Sequence, residues 1–269
     1  MAEGHHRDLG AVFNQVPELY DRMRPTYPAE LLADFAATAE IGQRSSIVEV
    51  GCGTGQATGA LAALGCSVLA IEPGPAMFNM ARQRLSSFAS VQLEQATFEE
   101  WDDANRCFDA LVAAASWHWV DQVVGWPKAH RVVRPGGWMA LIGHVVVRQE
   151  GEPEMYAMTE DLHEQFAPGN PNWCHPPLEA EVRGTNAGWG PNTDPLGLFG
   201  ETIVSWYPTE QWFDGTGLAD FLRTNSMYRC LDSSVREPLL DAVAARVRTH
   251  LDDRVCRRYL AVMRIGQRT

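Results

Sequence analysis

The 269-residue chain is short of positive charge: 22 Lys and Arg stand against 34 Asp and Glu, a formal net charge of −12. A polyanionic partner is disfavoured, because nucleic-acid binders display a basic stripe that displaces counterions. No apolar run approaches the ~18 residues needed to span a bilayer, so no membrane partner is expected either. The six cysteines, Cys52, Cys66, Cys107, Cys174, Cys230 and Cys256, include no C-x-x-C pair, and no signal-like leader precedes them. That usage suits reduced thiols in a cytoplasm and argues against a disulfide framework or a zinc site. His5 and His6 near the start are ordinarily solvated, and no metal is expected. No internal repeat is visible. With 45% hydrophobic and 21% charged residues, the chain can bury a real core as one large globular domain. A small molecule is the first expectation for a partner, with the chain a monomer or homodimer.

What is present is an alternation of short apolar runs and helical patterns between residue 46 and about 145, the rhythm of a parallel sheet with crossover helices. "SIVEVGCGTG" reads as the first strand, and "QATGALAALG" as a helix ending at Gly65. "SVLAIEP" is a second strand, "PAMFNMARQRLSSF" a helix with proline in its first turn, and "SVQLEQATF" a third strand. "FDALVAAAS" is nearly all apolar, as a strand covered on both faces should be. After a helical stretch, "RVVRPGG" turns into a fifth strand, "WMALIGHVVV". The flanks differ. "LGAVFNQVPELYDRMRP" and "YPAELLADFAATAEIG" read as two helices, "EPEMYAMTEDLHEQFA" as an acidic helix, and 167–200 as a long Gly/Pro/Asn-rich loop. "ETIVSWYPTEQWF" and "VCRRYLAVMRIGQ" add two strands, with helices over "LADFLRTNSMYRCL" and "VREPLLDAVAARVRTHL" between them.

The first strand runs into glycines. Their lack of a Cβ lets a backbone approach a ligand, while the following helix presents free N–H groups. Gly51, Gly53 and Gly55 form G-x-G-x-G, whereas the dinucleotide fingerprint is G-x-G-x-x-G; Gln56 stands where its last glycine belongs. A hydride-transfer enzyme is thereby less favoured. Glu72, at the end of the second strand, is placed to accept hydrogen bonds from both hydroxyls of a ribose, or is a surface carboxylate.

Taken together and in order, "IVEVGCGTGQAT", "VLAIEPGPAM", "FDALVAAASWHW" and "VVRPGGWMAL" resemble the motifs of class I S-adenosylmethionine (SAM)-dependent methyltransferases. "LYDRMRPTYPAELL" is similar to the N-terminal cofactor cover of the small-molecule, trans-aconitate methyltransferase-like group. The resemblance covers nearly the whole chain, loosely over 150–200. It implies an α/β fold: a doubly wound, Rossmann-like, seven-stranded, mostly parallel sheet. A helical cover would occupy 1–42 and the SAM-binding core 43–147. An inserted lid region would follow over 148–200, and the last two strands with a helical lid over 201–269.

Residue by residue, the resemblance implies that Glu49 and Gly51 hold the methionine moiety, Gly53 and Gly55 give close approach beside Gln56, and Glu72 binds the ribose. Pro73 and Met77 would flank the adenine. Many relatives carry an acid after the third strand for the adenine amino group; here Ala96 stands there, so backbone atoms around Thr97 and Phe98 would substitute. Tyr20 and Tyr27 would close the site, with Arg24 near the cofactor carboxylate or locking the lid, unless this corner only packs two helices together. Ala114 and Ala115 would lie beside the cofactor.

SAM carries an activated methyl group, so the protein must align an acceptor, exclude water and, where needed, remove a proton. His118 is the side chain in "ASWHW" of the type that titrates near neutral pH. Three readings stay open for it: base, acceptor-positioning group, or a histidine packed between tryptophans. Read as an extended segment, Trp117 and Trp119 share one side and His118 takes the other; Trp119 or His118 is expected to touch ligand, and Trp117 to be packing. His144, Trp206, Ser226, Met227 and Tyr228 would shape the acceptor site, implying a flat or apolar substrate, plausibly in specialised-metabolite biosynthesis. Two readings compete with a small-molecule methyltransferase. A nucleic-acid adenine methyltransferase would need an (Asp/Asn)-Pro-Pro-aromatic loop that "ASWH" does not provide. A SAM-binding regulatory or partner-activating protein would keep the cofactor motif without methyl transfer.

Overall fold

The structure is a computed structural model and describes residues 15–152, 155–171, 173–185, 190 and 194–269. His5 and His6 lie outside the described residues. Seven strands form one sheet: β1 Ser46–Val50, β2 Ser67–Ile71, β3 Val91–Glu94, β4 Phe108–Ala114, β5 Val133–Val147, β6 Ile203–Phe213 and β7 Val255–Gln267. Their order is β3-β2-β1-β4-β5-β7-β6. β1 pairs in parallel with β2 and β4, β2 with β3, and β4 with β5. The mostly parallel, doubly wound sheet expected from the sequence is therefore the observed one. Its order reverses between β1 and β4, and in open α/β sheets ligands bind beyond the carboxyl ends of the strands at that reversal.

The apolar runs form parallel strands because both of their faces are covered. Val48, Val50, Leu69, Ile71, Leu111 and Ala113 enter one core cluster, which includes Phe98, Trp101, Trp117 and Trp126. The alternate residues Ile47, Val68, Ala110 and Val112 enter another, with Leu31, Phe35 and Leu61. Successive side chains thus leave opposite sheet faces, and neither set is left to water.

Backbone contacts group the chain into two compact units. One holds the segment ending at Pro25, Val145–Gly184 and Pro208–Leu260; the other holds Thr26–His144, Thr185–Tyr207 and Ala261–Thr269. The second unit contains β1 to β4 entire, with helices α2 Ala29–Thr38, α3 Gln56–Ala62, α4 Pro75–Arg84 and α5 Gln122–Val132. Pro75 opens α4, and the Asp121 carboxylate caps α5 by accepting the Val123 N–H at 2.8 Å.

The first unit is largely helical: α1 Pro17–Met23, α6 Glu160–Phe166, α7 Glu179–Thr185, α8 Gly215–Arg223, α9 Ser226–Arg229 and α10 Ser233–His250. Its core joins Leu218, Phe221 and Leu222 of α8 to Leu239, Leu240, Val243 and Val247 of α10. Two expectations change here. The stretch read as loop over 167–200 contains α7, and the single helix expected over "LADFLRTNSMYRCL" is two. It breaks at Thr224, after which the Asn225 side chain accepts the Met227 N–H at 3.1 Å and starts α9.

Candidate active site

β1 ends at Val50, and the chain turns back over it through three glycines with φ of +67° at Gly51, +58° at Gly53 and +84° at Gly55. L-residues rarely adopt that conformation. Gly51 is also pressed against the loop after β4: a Cβ there would lie 2.6 Å from the Ser116 Cβ. The Ser116 hydroxyl in turn donates to the Val50 carbonyl. Gly53 is different, because a Cβ there would meet nothing within 4 Å. Its glycine keeps a surface open rather than avoiding a clash.

Two buried carboxylates sit behind this loop. Glu72 accepts the Gly53 N–H at 2.9 Å and the Gly74 N–H at 2.8 Å, tying the β1 and β2 turns together. Burial raises its pKa, and the two backbone N–H groups draw it part of the way back. Glu49 is 1% exposed, and its Oε2 has no hydrogen-bond partner. Burial lifts its pKa from 4.5 to about 7; the Thr58 hydroxyl opposes the rise and the Glu72 charge adds to it. Among the described residues, no cationic side chain offsets either carboxylate. The same acids, with burial foremost, hold the Cys52 thiol far above its usual range, so it is no nucleophile. A pair of buried acids without a counter-cation, under an open glycine turn, suits a cationic ligand.

The other wall is the loop after β4. Ala115 takes φ +56°, rare outside glycine, and its N–H donates to the Ile142 carbonyl at 2.7 Å. Trp117–Trp119 is a turn of 3-10 helix, not the extended segment expected. With three residues per turn, the three rings project in three directions instead of two. Trp117 is 2% exposed and packs 5.3 Å from Trp126 and 5.8 Å from Phe98, centroid to centroid. His118 is exposed, 4.5 Å from the half-buried Trp119 ring.

Sequence reasoning did not find what fixes the loop after β3 to the loop after β4. Lys128 of α5 is buried and donates to the carbonyls of Glu99, at 3.1 Å, and Trp101. The Glu99 carboxylate accepts the Asp121 N–H at 2.7 Å. A lone lysine in an apolar helix carries no signal of such a role until the loops are placed.

Other expected site residues fall as follows. Ala96 is partly buried against the core, and Phe98 is 3% exposed within it, so the Phe98 ring is core. Thr97 hydrogen-bonds Glu100. Met77 is buried and Pro73 exposed at the start of α4, Gln56 opens α3, and Ala114 closes β4. Tyr27 lies 5.2 Å from His144, ring to ring, and Trp206 lies under the Arg264 guanidinium at 5.5 Å. Tyr20 and Arg24 belong to the largely helical unit, as do Ser226, Met227 and Tyr228. Tyr228 is a correction: it is 2% exposed, and its hydroxyl is bound to Nε2 of the buried His163 at 2.7 Å. It fills a core instead of lining a surface. Among the described residues, no group of three or more His, Cys, Asp or Glu could hold a metal ion, and no helix is long and apolar enough to cross a membrane.

Residues 47–137, which carry both walls of this site, match a family described as a methyltransferase domain. That stretch is thus a methyltransferase domain. An uncharacterized methyltransferase of Mycobacterium tuberculosis is 33% identical over 136 residues, which are 51% of this chain and 53% of that protein. The chain spans about half the length of the curated relatives it matches. Among solved structures, a protein of Anaeromyxobacter dehalogenans assigned as a type II methyltransferase superposes with a TM-score of 0.62 at 24% identity. That match covers 91% of this chain and 97% of the other. Haemonchus contortus phosphoethanolamine N-methyltransferase 2, solved with S-adenosylhomocysteine (SAH), gives a TM-score of 0.52 at 13% identity, over 95% and 57% of the two chains. At those identities the likeness speaks for the fold.

The cofactor of this family fits the residues present. SAM brings an ammonium and a sulfonium to a site whose orphan atom is a carboxylate oxygen, Glu49 Oε2, and whose open backbone is Gly53.

Proposed function

We propose that the protein transfers the methyl group of SAM to an O, N or C atom of a small molecule. The observation that carries this reading is the buried Glu49–Glu72 pair, which no cation among the described residues offsets, beneath an open glycine turn. Glu49 and the Gly51 backbone hold the amino-acid end. Glu72, whose oxygens each already accept one backbone N–H, retains lone pairs for the ribose hydroxyls. Main chain around Ala96, Thr97 and Phe98 borders the adenine opposite Pro73 and Met77, and the clamp of Lys128 and Glu99 keeps it in place.

The cofactor supplies an activated methyl group. The chain's own task is to align the acceptor and exclude water, which is worth up to roughly 7–11 kcal/mol at ideal geometry. His118 leaves the end of β4 on the turn held by Ser116 and Asp121, exposed to an incoming acceptor. It serves as base or acceptor-positioning group, a base adding typically ~10²–10⁴-fold. Trp119 beside it supplies a flat apolar surface, and Trp117 anchors the turn in the core. With Tyr228 in the core, a flat or apolar acceptor is supported by Trp119, His144 and Trp206. A role in specialised-metabolite biosynthesis, and a cytoplasmic location, stay consistent with the small-molecule reading.

Titration with SAM, SAH and NAD by calorimetry, followed by measurement of SAH release over a panel of small-molecule acceptors, tests this reading. Saturable binding of SAM and SAH, none of NAD, and acceptor-dependent SAH release are expected. Binding of NAD alone would overturn the cofactor assignment. Tight SAM binding with no SAH released from any acceptor would favour a SAM-binding regulator.

A further inference from the structure

Gln122 makes hydrogen bonds for which neither the glycine turn nor the acceptor side chains account. It is the first residue of α5, and its amide folds back onto the turn that carries His118. Nε2 donates to the Trp117 carbonyl at 3.2 Å and to the Val120 carbonyl at 2.8 Å, while Oε1 accepts the Trp126 indole N–H at 2.9 Å. These partners fix which way the amide points. An indole nitrogen only donates and a carbonyl only accepts, so the flipped amide would lose every one of these bonds. Trp126 stands one helical turn further along α5 and is fully buried, so it ties the amide to the core.

The two carbonyls held by Gln122 lie on either side of His118 and Trp119. A 3-10 turn this short has little else of its own: the Trp119 N–H donates to the Ser116 carbonyl at 2.9 Å and the Val120 N–H to the Trp117 carbonyl at 3.0 Å. The chain leaves the turn in an extended conformation at Val120, with φ −79° and ψ 138°, and the Val120 carbonyl then stands between the turn and α5, where the Gln122 amide meets it. Each peptide unit is planar. Holding the Trp117 carbonyl therefore fixes the plane that enters His118, and holding the Val120 carbonyl fixes the plane that leaves the turn. The Ser116 hydroxyl and the Glu99 carboxylate tie down the ends, at the Val50 carbonyl and the Asp121 N–H; Gln122 acts across the middle.

We propose that Gln122 is a positioning residue, which holds this turn in the conformation that aims His118 at the methyl acceptor. The inference rests on the reading of His118 as base or acceptor-positioning group. His118 is exposed, so its aim depends on the main chain that carries it more than on packing around the ring. A base must stay within roughly 2.6–3.2 Å of the proton it takes, and a misplacement of about 1 Å can cost on the order of 10²-fold in rate. A turn freed at both carbonyls would not keep that tolerance.

Gln122→Met keeps the length of the side chain and removes its donor and acceptor. Hydrogen exchange of the Trp119 and Val120 amides, followed by NMR in the full chain without SAM, should quicken about tenfold or more as the turn opens. With an acceptor that supports SAH release, kcat should fall about 10- to 100-fold while SAH affinity stays unchanged. In the His118→Gln background the same substitution should cost nothing further, because a residue that acts through His118 then has nothing to aim. Gln122→Glu keeps an acceptor for Trp126 but offers the carbonyls no donor when ionised, and should reproduce both effects should Gln122→Met fold poorly. Wild-type exchange at Trp119 and Val120 in both variants overturns the proposal. So does a loss of turnover that is equal with and without His118, which would mark Gln122 as structural only. Absence of SAM binding, or of SAH release by the wild type with every acceptor, would instead count against the methyltransferase reading, and the exchange measurement alone would decide whether Gln122 holds the turn.

Discussion

Glu49 gives the sharpest quantitative test, because the chain keeps a carboxyl group in its interior at a cost that depends on pH. Its pKa is about 7 in the folded chain against 4.5 for an ordinary glutamate. Between those values the folded protein holds a proton that the unfolded chain releases, so stability falls as pH rises through this window. Below the window Glu49 contributes no pH dependence; above it the full penalty is present. At about 1.4 kcal/mol per pH unit, the penalty is roughly 3 kcal/mol. Glu49→Gln removes the titration. The amide brings its own cost, since it places an N–H₂ where Oε2 has no partner, but that cost is the same at every pH. The informative quantity is therefore the change with pH in the stability difference between variant and wild type, measured by urea unfolding from pH 5 to pH 8. The variant should gain roughly 3 kcal/mol on wild type across that range. Parallel curves would show that Glu49 is not a buried, proton-holding acid. Saturating SAM should supply the missing cation, hold Glu49 ionised and flatten the wild-type curve. SAM affinity should correspondingly rise with pH below about 7, with proton release visible as a buffer-dependent binding enthalpy.

Glu72→Ala should weaken SAH binding by the ~1.5–3 kcal/mol of charge-assisted hydrogen bonds. It also frees the Gly53 and Gly74 N–H groups, so a lower Tm is expected, and unchanged affinity by calorimetry would refute the ribose assignment. His118→Gln should depress turnover far more than SAH affinity and abolish an acid limb in the pH–rate profile; wild-type rates at every pH would leave the exposed imidazole without a catalytic part. Gly51→Ala must place a methyl 2.6 Å from the Ser116 Cβ at φ +67°, and should cost on the order of 1–3 kcal/mol. Ser116→Gly in the same chain should return part of that stability in thermal unfolding, and a failure to do so would mean the clash is not the cause. Lys128→Met leaves the Glu99 and Trp101 carbonyls without their donor, at about 1–3 kcal/mol; an unchanged melting curve would show that the clamp holds nothing.

The sheet and its ligand end were legible from residues because their determinants are local. Period-two alternation within "SIVEV" and "FDALVAA" places successive side chains in two different cores, and glycine spacing marks the turn whatever lies around it. Legibility failed where a conformation or partner is set by distant residues. "ASWHW" reads as a strand exit, yet it closes into a 3-10 turn because Trp117 finds a slot beside Trp126 and Phe98, 9 and 19 positions away in sequence. Tyr228 looks like a lid residue until His163, 65 positions earlier, claims its hydroxyl. Lys128 shows nothing in a window of neighbours; its meaning lies in carbonyls brought in from another element.

The same distinction explains why the cofactor end of the site is readable and the acceptor end is not. A cofactor that is the same in every member of a family imposes fixed backbone demands, and those demands fall on glycines and strand-end acids that sit within one turn of each other. An acceptor imposes only a shape and a few polar contacts, and the side chains proposed to meet them, such as His118, His144 and Trp206, are carried by three different elements. Their arrangement depends on how those elements pack, so no short stretch encodes it. Charge balance survives that loss, because it is counted over partners and not over sequence neighbours. It singles out Glu49, a buried acid short of a cation among the described residues, and such an acid is expensive to keep in a folded chain unless a ligand of opposite charge completes it.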